Sequence, residues 1–63
     1  MKQKELKNLA KKIAKLELTM QATDDQDVIA DCESQIMYLT GRVTSFEEID
    51  ALDEMIQEIL QNS

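Results

Sequence analysis

The chain has 63 residues, seven Lys plus Arg against thirteen Asp plus Glu, a formal charge of −6, and no His, Trp or Pro. That length bounds it to one small domain spanning residues 1–63, while a single Cys forms no intramolecular disulfide and, without His, supplies too few ligands for a structural zinc site. Only one Tyr and one Phe are available, which disfavours a β-sandwich or barrel, and no run approaches the ~18 consecutive apolar residues of a membrane span.

Taken in chain order, the first predicted element is a helix near residues 3–22, rich in the helix formers Lys, Leu and Ala. Leu6, Leu9, Ile13, Leu16 and Met20 recur at spacings of 3, 4, 3 and 4, a heptad seam of three repeats. Ala10 and Ala14 lie beside that seam and would let another helix approach closely. The basic N-terminus is followed by no apolar stretch, so it does not read as a signal peptide. A reducing cytosol is the default compartment.

Thr23-Asp24-Asp25-Gln26 reads as a restart. Thr23 is positioned to accept from a first-turn N–H and Gln26 to reach back to it, a capping box. The neighbouring aspartates place negative charge at the positive end of a helix dipole, each worth ~0.3–1 kcal/mol when exposed. A second helix is predicted near residues 24–40, carrying Ile29, Cys32, Ile36, Leu39 and Val43 at the same spacings. Nine residues separate Met20 from Ile29, which breaks the heptad register. Two helices with a tight turn are therefore preferred, with one kinked or continuous helix as the alternative.

Gly41, the only glycine, is expected to end the second helix in the left-handed conformation. Ser45-Phe46-Glu47-Glu48 reads as a second capping box and opens a third helix near residues 46–61. Its apolar residues, Phe46, Ile49, Leu52, Met55, Ile56, Ile59 and Leu60, form a stripe wide enough to face more than one neighbour. The short connection suits antiparallel neighbours. The expected fold is all-α: three short helices in antiparallel hairpins, forming a small bundle. About 60 residues make a marginal core, and Val28, Met37, Tyr38, Met55 and Leu60 lie off the seams. Homo-oligomerisation is expected to complete it.

Charge is segregated along the chain. Residues 1–16 carry six Lys and one Glu, for +5; residues 17–63 carry Arg42 and twelve acids, for −11. Packing the basic first helix beside the acidic third would relieve repulsion, although each exposed pair contributes only ~0–1 kcal/mol.

Several constellations invite chemical readings. Lys4, Lys7, Lys11 and Lys15 form one helix face, a candidate interaction face that could meet phosphates. The face contains no Arg for base contacts and no aromatic for stacking, so a solvated face complementing acidic neighbours is the simpler account. The helices flanking Gly41 resemble a helix-turn-helix in spacing, but the third helix is acidic and would be repelled from a major groove. Mimicry of a phosphate ladder by that helix is a further alternative. Asp24 to Asp27 lack the spacing and Gly of a calcium loop, and capping explains them better. Cys32 lies on an apolar seam with no activating base, so it reads as core. Tyr38 reads as an edge residue, and the helical methionines as gap-fillers.

The run from Leu39 to Leu60, LTGRVTSFEEIDALDEMIQEIL, preceded by the Lys-rich KELKNLAKKIAK of residues 4–15, resembles small uncharacterised helical open reading frames of tailed cyanophages. The resemblance implies a phage-encoded protein acting in the cytoplasm of an infected bacterium. It transfers no catalytic, metal-binding or cofactor-binding residue.

Together these readings lead to a non-enzymatic, self-associating helical module that meets a host or phage protein, with no cofactor and no membrane contact. Its core or interface is expected from Leu6, Leu9, Ile13, Leu16, Met20, Ile29, Cys32, Ile36, Leu39, Ile49, Leu52, Ile56 and Ile59. The alternative is a nucleic-acid-associated protein using the lysine face. An enzyme is disfavoured, because no paired acid and base, phosphate loop or activated nucleophile is recognisable.

Overall fold

The computed structural model describes residues 2–62. Three helices make up most of the chain, α1 (Gln3–Ala22), α2 (Gln26–Thr40) and α3 (Phe46–Gln61), and no strand occurs among the described residues.

Helix α1 is 20 residues long, about 30 Å at 1.5 Å per residue. Its first hydrogen bond runs from the Leu6 N–H to the Lys2 carbonyl at 3.1 Å. Leu6, Leu9 and Ile13 are buried, as are Ala10 and Ala14, which expose no surface at all. A methyl side chain lets a neighbouring backbone approach closely, so this alanine pair sits at the centre of the packing rather than beside it. Leu16 and Met20 continue the seam but remain half-buried.

The chain then turns without glycine or proline. Thr23 is extended (φ −125°, ψ 147°) and ends α1. Its hydroxyl accepts from the Asp25 N–H at 3.1 Å, closing a local turn. Asp25, not Thr23, is the N-cap of α2: its carboxylate accepts from the Asp27 N–H at 3.0 Å. The helix accordingly starts at Gln26, two residues later than the sequence pattern suggested, and a turn separates α1 from α2. The correction has a simple cause: a carboxylate is a stronger acceptor than a hydroxyl, and Asp25 lies where it can reach a free first-turn N–H.

Gly41 departs from expectation more sharply. It is right-handed (φ −64°, ψ −15°), and no described residue has positive φ. The Gly41 N–H donates to the Met37 carbonyl at 2.9 Å, continuing the helical ladder. Arg42 and Val43 then donate to Leu39 and Thr40 at 3.3 and 3.1 Å, so α2 ends in a tightened turn of i to i−3 bonds. That turn satisfies the Met37, Leu39 and Thr40 carbonyls without a left-handed residue. Val43, assigned by its spacing to α2, lies in the connection and is buried. Ser45 holds the N-cap position of α3, but its hydroxyl makes no capping bond. The second capping box is therefore not formed on the serine side.

Helix α1 is the hub. Both α2 and α3 pack against it, whereas α2 and α3 scarcely touch. The antiparallel pair expected from the short α2–α3 connection is thus not a packed hairpin. The α1–α2 pair is one: Met20 and Ile29 line a depression near the turn, and Leu16 and Leu39 line a groove between the two helices. Leu52 and Ile56 of α3 join Val43 and the α1 residues in one core, which Ile36, Leu39, Ile49 and Ile59 flank as half-buried neighbours. Met55 and Leu60, off the strict seam, also pack against this core. The molecule is flattened, 34 × 24 × 16 Å. Its radius of gyration of 11.8 Å exceeds the roughly 10.6 Å expected for a compact chain of this length.

Candidate interaction surface

Because α2 packs mainly against α1, one face of it is used and the other is open. Cys32 is buried on the used face. On a 3.6-residue wheel Met37 falls about 140° from Cys32 and Tyr38 about 120° to the other side. These two side chains are 75% and 72% exposed. Phe46, the first residue of α3, is 85% exposed. It lies about 120° from Leu52 on the α3 wheel, beyond the edge of the buried stripe. Both aromatic residues of the chain therefore lie outside the core. Val28 and Leu18 add smaller apolar exposures on α2 and α1.

An open groove of about 660 Å³ runs between α1 and α2, its apolar floor formed by Leu16 and Leu39 with Tyr38 alongside. Lys12 and Lys15 border it from α1, and Gln35 from α2. Gln35 donates to the Asp31 carboxylate one turn earlier at 2.9 Å, which steadies the α2 rim.

The lysine face is exposed at Lys4, Lys7, Lys11 and Lys15. Its ends border different grooves. Lys4 and Lys7 line a groove of about 510 Å³ with Met55, Glu58 and Ile59 of α3, whereas Lys15 lines the α1–α2 groove. The basic helix therefore meets the acidic one at its N-terminal end, and basic charge remains at the α2 side. Farther along, Arg42 and Lys12 flank Glu5 around a depression of about 140 Å³.

Other residues singled out for chemistry take structural roles. Asp25 caps α2, and Asp27 supplies the N–H that it holds. Among the described residues no group of three His, Cys, Asp or Glu stands where it could hold a metal ion. The α2–α3 pair does not pack as a helix-turn-helix does, since the two helices barely meet. No described helix is long and apolar enough to cross a membrane.

Two features escaped the sequence pattern. Apolar spacing groups Phe46 with the stripe of α3, yet its wheel position places it off the buried part of that stripe. The concentration of basic charge beside Tyr38 depends on which side of α1 receives α2, which no periodicity encodes. Compared with protein-family models, curated proteins and solved structures, the chain matches none of them.

Proposed function

We propose that this chain is a non-enzymatic helical interaction module that self-associates and presents a helical surface to a second protein. The observation that carries the proposal is the exposure of Met37, Tyr38 and Phe46 on a fold whose buried residues centre on α1. The accessible surface supports it: 4826 Å² for a chain of 7.2 kDa, against about 4100 Å² expected for a monomer of that mass. Large aromatics left in water forgo about 1.5–3 kcal/mol each of burial free energy. Association recovers it. A setting in the cytoplasm of a phage-infected bacterium rests on the sequence resemblance alone, as does a host or phage protein as the second partner.

Sedimentation equilibrium from micromolar to millimolar concentration tests the proposal. A mass above that of the monomer, with a thermal midpoint rising with concentration, supports it. A monomer throughout that range refutes self-association.

A nucleic-acid-associated role is the second reading, and the exposure of Lys4, Lys7, Lys11 and Lys15 favours it. Its test is electrophoretic mobility shift at low and physiological salt. Micromolar binding that persists at physiological salt would establish it over the first reading, since a net charge of −6 opposes approach to a polyanion.

A further inference from the structure

The α1–α2 groove and the start of α3 are complementary surfaces that one chain cannot bring together. The groove is lined from α1 and α2 alone, with an apolar floor and two lysines, Lys12 and Lys15, on its rim. Helix α3 packs elsewhere on α1 and exposes Phe46, Asp50 and Asp53. Lys12 and Lys15 are three residues apart on one helix, and Asp50 and Asp53 are three apart on another. Both spacings set Cβ atoms about 5–6 Å apart, so the two pairs match in length. Phe46 lies one turn before Asp50, on the same side of α3.

We infer that a second copy of this chain occupies the α1–α2 groove with the first turns of its α3. Phe46 seats on Leu16, Tyr38 and Leu39, while Asp50 and Asp53 meet Lys12 and Lys15. The inference rests on the proposed self-association and names the surfaces that carry it. A copy is favoured over another partner because the chain itself supplies both halves: an exposed aromatic anchor with acids at matching spacing, and a basic-rimmed apolar groove to receive them. The apolar contact provides affinity, and the charge pairs provide register.

Charge reversal tests the arrangement. The variants are Lys12→Asp with Lys15→Asp, and Asp50→Lys with Asp53→Lys. All four side chains are exposed, and circular dichroism verifies that each variant folds. Each variant alone should self-associate at least about tenfold more weakly than the wild type. An equimolar mixture should recover wild-type association, because each reversed groove then meets a matching α3. The second variant also separates pairing from bulk repulsion, since two Asp→Lys changes of +2 each take the net charge from −6 to −2. Bulk repulsion alone would make it associate more tightly. Phe46→Ala should weaken association by about tenfold without altering helicity.

Association unchanged in the single variants would overturn the inference and direct the contact to another face, such as that of Met37. Weakening without recovery on mixing would overturn it equally. In both cases self-association itself would stand. A wild-type chain that stays monomeric would remove both.

Discussion

Ala10 and Ala14 lie one turn apart on α1, and neither exposes any surface. Of the buried positions on α1, these carry the least side chain, and the helix that bears them receives both other helices. Leucines on either side fill space; the alanines set the distance of approach.

Enlarging that contact should therefore be harmful. Ala14→Leu adds three carbons where no space exists and is expected to destabilise by about 1–3 kcal/mol. Thermal denaturation at fixed protein concentration measures this, with a midpoint lowered by about 4–8 °C per kcal/mol for a chain of this size. An unchanged midpoint would mean that the helices do not approach at this turn.

The two helix starts should respond differently to loss of their caps. Asp25→Ala removes the acceptor for the Asp27 N–H and should destabilise by about 0.5–2 kcal/mol. Ser45 makes no capping bond, so Ser45→Ala should change stability by less than about 0.5 kcal/mol. Urea unfolding of the two variants side by side gives the comparison. A larger loss at Ser45 would reverse the assignment.

Gly41→Ala is expected to stabilise. Its right-handed backbone suits alanine, and narrowing the unfolded ensemble is worth about 0.4–1 kcal/mol. The new Cβ would sit 3.3 Å from the Met37 carbonyl oxygen and 3.5 Å from that of Tyr38, so part of this gain is lost to a tight contact. Chemical denaturation showing a loss above about 1 kcal/mol would indicate a left-handed Gly41 in solution.

Replacing Lys4, Lys7, Lys11 and Lys15 with Gln separates the two readings of the lysine face. If the face serves the chain's own acidic helices, stability or assembly should fall modestly, and the difference from wild type should shrink at high salt as screening shortens below ~8 Å. If it serves phosphates, stability should hold or rise, and the slope of log affinity against log salt should become shallower. The first outcome is expected, because Lys4 and Lys7 share a groove with Glu58.

Local pattern carried the helices and little of their arrangement. The seam of Leu6, Leu9 and Ile13 is legible because a 3.6-residue period puts those residues on one face whatever the partner. Sequence pattern places the N-cap of α2 two residues early because Thr23 and Asp25 are both good acceptors, and only the backbone path shows which one meets a free N–H. Residue preference alone points to a left-handed Gly41. The helix instead ends through a tightened turn that any residue can adopt. The meeting of α3 with α1 rather than α2 is a choice among apolar faces of similar width. Ala10 and Ala14 share the core with Leu52 and Ile56 of α3; their small volume is visible in the sequence, but their neighbours are not. The groove bounded by Lys12 and Tyr38 exists only after that choice is made.

An arrangement in which two helices lean on a third, and hardly on each other, divides the chain into parts that can open separately. Helix α2 has a single buried side chain, Cys32, so releasing it leaves the α1–α3 contact in place. Amide hydrogens of α2 should exchange through that partial opening, at a lower free energy than those at the α1–α3 contact, which wait for global unfolding. The thiol of Cys32 becomes reachable in the same event. Its rate of labelling by a small alkylating reagent therefore reports how often α2 lifts away while the rest of the protein stays folded.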